Sequence, residues 1–132
     1  MFKNVWAIVL GVIAAMVVLM ISEPLISTIY QLPANINWKD ESAVAKMIAE
    51  MPVKAFLYLL AVHCIAAFTG GLVATIVAKR VNIRPAIITS GLLIIAAIVN
   101  FIRIPHPMWF VVVNISVYIP FAYLGFLVVR KK

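Results

Sequence analysis

Four apolar runs without a charged side chain follow one another along the chain: Val5 to Ile21, about Ala55 to Ala78, Pro85 to about Ile102, and Trp109 to Val129. At ~1.5 Å of rise per residue, each covers most or all of a hydrocarbon core ~30 Å thick. A segment in lipid has no water to satisfy its backbone N–H and C=O groups, so it must bond to itself as a helix. The expectation is therefore an all-α fold, an integral membrane four-helix bundle.

Composition agrees. Two thirds of the residues are apolar (66%) and only 11% are charged, which excludes the soluble globular class. A chain of 132 residues has room for one such bundle and no sizeable soluble domain, so residues 1–132 are read as a single four-span domain. The lone cysteine, Cys64, lies within an apolar run and has no partner for an intramolecular disulfide.

The net charge of +7 is a signal of topology rather than of nucleic-acid binding, because the basic residues fall at the span ends. Lys3, Lys79, Arg80, Arg84, Arg130, Lys131 and Lys132 share one side; Lys39, Lys46, Lys54 and Arg103 share the other with all four acidic residues, Glu23, Asp40, Glu41 and Glu50. The excess on one side places both termini in the cytoplasm of a multi-pass cell-membrane protein and argues against dual topology. The first run exceeds a signal-peptide core and Ser22-Glu23-Pro24 is a poor cleavage site, so this span is expected to be retained. Ser27 and Tyr30 continue the face of Glu23, which suggests a helix persisting beyond a kink at Pro24. No direct or inverted repeat is evident.

Between the first two spans the texture changes. Val44, Met47, Ile48 and Met51 recur at helical spacing among Asp40, Glu41, Lys46 and Glu50, which predicts a short amphipathic surface helix. Asn37, three residues before Asp40, is the expected N-terminal cap, and Trp38 suits a membrane interface. The helix reads as a connector resting on the bilayer, with a lid over a site as the alternative.

The second span carries the most informative pattern. His63, Ala67, Gly70 and Ala74 lie on one narrow stripe flanked by Ala66 and Ala78, so the histidine should face other helices rather than lipid. The same small residues make a homo-oligomer a candidate assembly. An imidazole at mid-depth is costly and marks a functional-site candidate. Five further polar groups lie toward the same, outer side: Glu23, Asn100, Arg103, His106 and Asn114. Asn100 shares a face with Leu93, Ala96 and Ala97, and Asn114 with Tyr118, Phe121 and Gly125, so both asparagines should point into the bundle.

This inventory permits two kinds of chemistry. Glu23, His63 and His106 could offer a carboxylate and two nitrogens to a divalent metal such as zinc, leaving a position for water. Alternatively, Glu23 and His63 could activate water directly, with Asn100, Asn114 or Arg103 stabilising an oxyanion. No HExxH, GxSxG or phosphate-loop motif supports either. The set of Glu, His and Asn on spans is loosely similar to that of CAAX-prenyl-protease-type intramembrane hydrolases, although the paired glutamates followed by arginine are missing and the spans are too few. Small multidrug transporters also have four spans and a glutamate in the first, but here Glu23 is displaced to the outer end and their surrounding motif is absent.

Three functions follow as alternatives: a membrane-embedded hydrolase acting on an amphiphilic small molecule or lipid, a proton- or cation-coupled transporter or channel subunit, and a structural assembly subunit held by interhelical glue. Polarity concentrated at one end suits a pocket better than a pore. In the inner halves of the spans, Thr69, Thr75, Thr89 and Ser90 are the only modest polar steps.

Overall fold

A computed structural model describes residues 2–79 and 82–130. Arg80, Lys131 and Lys132, which contribute to the charge asymmetry, lie outside the described residues. The elements are α1 (Phe2–Ile26), α2 (Glu41–Glu50), α3 (Val53–Val77), α4 (Arg84–Arg103) and α5 (Met108–Arg130). All but α2 are long and apolar enough to cross a membrane. Exposed side chains such as Val9 and Ile13 on α1, Leu57 and Ile65 on α3, Ile95 and Val99 on α4, and Val112 and Leu124 on α5 form an apolar sheath suited to lipid.

The bundle is organised around α3, which packs most extensively against α1 and α5; α4 closes it with contacts to all three. Small residues allow this. Ala7, Gly11 and Ala15 form a buried row on α1, facing Gly70 and Ala74 of α3. A methyl added at Gly11 would lie 2.8 Å from the Gly70 carbonyl oxygen and 3.0 Å from Thr89 Oγ1. On its other side, α3 brings Gly71 against the Ala122 backbone and receives Gly125 at the Phe68 carbonyl. Without a hydrophobic force between helices in lipid, such close backbone approach supplies the packing. The Gly70 part of the stripe expected on α3 is thus met by α1 and α4 of the same chain.

Hydroxyl groups in the spans are mostly tied to their own helices. Thr75 Oγ1 donates to the Gly71 carbonyl at 2.7 Å and Ser90 Oγ to the Ile87 carbonyl at 2.9 Å. Thr89 Oγ1 is buried without a hydrogen-bond partner among the described residues.

The end of α1 differs from the sequence expectation. The helix passes Pro24 but stops at Ile26, giving way to a turn. Ser27 and Thr28 donate their hydroxyls to the carbonyls of Pro24 and Leu25, both at 2.7 Å, and such local bonds compete with helix propagation.

The short helix α2 is capped by Asp40, not Asn37. The Asp40 carboxylate accepts from the Ser42 and Ala43 backbone N–H groups at 3.0 and 3.3 Å, while Asn37 only turns the chain by accepting from Lys39 N–H at 3.1 Å. The Ser42 hydroxyl and these amides hold the Asp40 carboxyl below its ordinary pKa of 3.8. The helix α2 packs on the bundle itself. Its apolar face, Val44, Met47, Ile48 and Met51, is buried against Ala55, Phe56 and Phe110 at one end of the bundle.

Candidate functional site

A cleft of about 380 Å³ opens between α1 and α4 in the half of the bundle nearest α2. Met16, Leu19, Met20, Leu93, Ala96 and Ala97 make its walls, with Val62, His63 and Tyr118 behind them. Ser22, Glu23 and Asn100 stand toward its α2 end, where a second cleft of about 480 Å³ begins under Trp38, Met47, Ile48 and Met51. Ser22, Glu23, Leu59 and Asn100 line both clefts. The polar rim is therefore shared between the cleft that α1 and α4 line and a space beside α2.

The helices explain this placement. His63 is the eleventh residue of α3, so it lies ~15 Å along the axis from the α2 end. Its ring is held from two directions. Asn114, fully buried on α5, donates its side-chain amide to His63 Nδ1, and Tyr118, one turn further along α5, stacks on the imidazole at 6.0 Å between centroids. An Nδ1 that accepts this bond leaves the proton on Nε2, fixing the tautomer and the ring plane. Tyr58 Oη donates to the Ser22 carbonyl at 2.9 Å, tying α3 to α1 one residue before Glu23.

Of the residues singled out in the sequence, Glu23, His63 and Asn100 line the same cleft, and Asn114 acts on it through His63. Asn100 is more exposed than its helical face suggested, because it stands at the rim of the cleft instead of under a packed neighbour. Arg103 is exposed in the last turn of α4 and lines neither cleft. His106 belongs to the connector after α4. Its Nδ1–H donates to the Ile104 carbonyl at 2.7 Å, and its ring packs among Phe56, Phe101 and Phe110. Burial there pushes the imidazole pKa below its ordinary 6.5. Among the described residues, no three His, Cys, Asp or Glu side chains come together as a set of metal ligands, so Glu23, His63 and His106 do not form one.

Sequence reasoning missed Tyr58, Ser22 and the orienting role of Tyr118. Tyr118 carried a signal, its shared face with Asn114; Ser22 and Tyr58 carried none, since their bond depends on how α1 is rotated against α3. Comparison with protein-family models, curated proteins and solved structures finds no match for the chain.

Proposed function

We propose that this protein binds an amphiphilic small molecule or lipid within the membrane, its chain in the cleft between α1 and α4 and its polar end at Ser22, Glu23 and Asn100. The observation that carries this reading is one cleft with apolar walls and a polar rim at a single end. A binding site of this kind needs a few placed polar groups on an otherwise apolar lining. A transport path has less support: the Thr75 and Ser90 hydroxyls are engaged by their own helices, which leaves few free polar steps in the other half of the bundle. The charge distribution supports cytoplasmic termini, with the cleft toward the outer leaflet.

The test is photolabelling with a decanol carrying an alkyl diazirine, followed by mapping of the modified residues. Labels are expected at Met16 to Met20 and Leu93 to Ala97, saturating with probe and suppressed by Ala97→Trp, which fills the cleft. Non-saturating labels spread over Val9, Ile95 and Val112 would refute the reading.

A second reading adds turnover. His63, oriented by Asn114, shares the cleft with Glu23, a pairing suited to acid–base activation of water against a bound ester or amide. Release of product from an ester amphiphile, lost in His63→Ala while photolabelling persists, is the expected outcome; no turnover of a panel of acyl esters would reduce the function to binding.

A further inference from the structure

Among the described residues, Glu23 is the only formally charged one lining either cleft, and no described lysine or arginine does so. Its carboxylate makes no hydrogen bond or ion pair with any described residue. A carboxylate at the rim of an apolar space lacks a counter-charge from the protein, and a phosphate, sulfate or carboxylate headgroup placed there would meet repulsion rather than the Arg or Lys such groups require. Facing the same space is Trp38, 60% exposed, whose indole is the best side-chain partner for a cation over a ring face. Met47 and Met51 add polarisable thioethers, and Asn100 a hydrogen-bonding amide.

From these residues we infer that the rim shared by the two clefts is a headgroup site for an alkylammonium, with Glu23 as counter-ion and Trp38 as aromatic wall. The inference rests on the amphiphile-binding reading and names the headgroup it takes. Met16 lies seven positions before Glu23 on α1, ~10 Å of cleft depth, which accommodates a medium-length alkyl chain below the ammonium group. The neighbouring cations do not change the local balance. Lys39, Lys46, Lys54 and Arg103 belong to the same end of the molecule, but none lines the clefts, and the acids Asp40, Glu41 and Glu50 offset three of them.

The experiment is competition against the diazirine decanol probe by four chain-matched amphiphiles at neutral pH: decylamine, decyltrimethylammonium, decanol and decanoate. Both cations are expected to protect Met16 to Met20 at concentrations about tenfold lower than decanol, and decanoate to protect least. Glu23→Gln, a change at an exposed position, should remove the advantage of the cations over decanol. Trp38→Ala should weaken decyltrimethylammonium in particular. Equal protection by all four, or a cation preference retained in Glu23→Gln, would overturn the headgroup assignment and leave amphiphile binding standing. Protection by none of them would overturn both.

Discussion

The same substitution at two glycines provides a sharp test of the packing. At Gly71 an added methyl would lie 2.6 Å from Ala122 Cα and 2.8 Å from its carbonyl carbon, backbone atoms that no rotamer change can move. Carbon atoms pack at ~3.5–4.0 Å, so α3 and α5 must separate by about 1 Å to admit it. Overpacking of this kind costs about 1–3 kcal/mol, offset by the ~0.5–1 kcal/mol by which alanine is favoured over glycine within a helix. Gly71→Ala should therefore lose up to about 2.5 kcal/mol, about 1 kcal/mol at the middle of the two ranges. At Gly91 an added methyl meets no atom within 4 Å, so only the favourable helix contribution of ~0.5–1 kcal/mol remains. Unfolding in mixed micelles titrated with denaturing detergent, followed by helical circular dichroism, measures both variants against the parent. Gly71→Ala must fall below it and Gly91→Ala must not. Equal shifts of the same sign would show that backbone contact between α3 and α5 is not what holds the bundle. Gly70→Leu, pressed between Gly11 and Thr89, should disrupt folding outright, whereas Ile76→Leu on the exposed side of α3 should be mild.

His63→Ala and Asn114→Ala should be strongly non-additive in a double-mutant cycle on stability, with a coupling above 0.5 kcal/mol as expected of groups in direct contact; Glu23→Gln and Arg103→Gln, which share no contact, should add within about 0.3–0.5 kcal/mol. Tyr58→Phe removes the bond to the Ser22 carbonyl and should cost about 0.5–1.5 kcal/mol, with faster hydrogen exchange at the end of α1; unchanged exchange there would show that the bond does not hold α1 to α3. His106 has a folded pKa below its ordinary 6.5, so the unfolded chain binds the proton more readily, and the stability His106 contributes is complete above that value and lost as pH falls through it. His106→Phe should accordingly flatten the loss of stability between neutral and mildly acidic pH, and an unchanged slope would refute the argument.

The span count and boundaries were legible because hydrocarbon imposes one requirement on every residue it contacts: apolar runs with charged ends leave little freedom in length or secondary structure. Pairing was harder to read. The stripe through Gly70 announced an interface without naming its partner, although Ala7, Gly11 and Ala15 repeat at intervals of four in the first span and were the matching signal. The end of α1 and the cap of α2 were misplaced for a related reason. Ser27, Thr28, Asn37 and Asp40 all carry short polar side chains able to bond nearby backbone, and the choice among them depends on local dihedral angles that periodicity does not encode.

Legibility of the site divides along depth and rotation. Depth follows from counting residues, so Glu23, His63, Asn100 and Asn114 could be assigned to one end of the spans before any helix was placed. Rotation and separation decide contact, and they separate these four from Arg103 and His106. Asn114 is buried where α3 and α5 meet through Gly71 and Gly125; Asn100, on an equally plausible face, is left exposed at the rim of the cleft that α1 and α4 line. The small residues that draw the helices together at one end are thus linked to the opening at the other. Adding bulk at Gly11 should therefore alter the cleft at its Met16 wall, about one and a half turns away, as well as destabilise the crossing. Its effect on photolabelling at Met16 to Met20 would reveal whether helix crossing and cleft width are one structural variable.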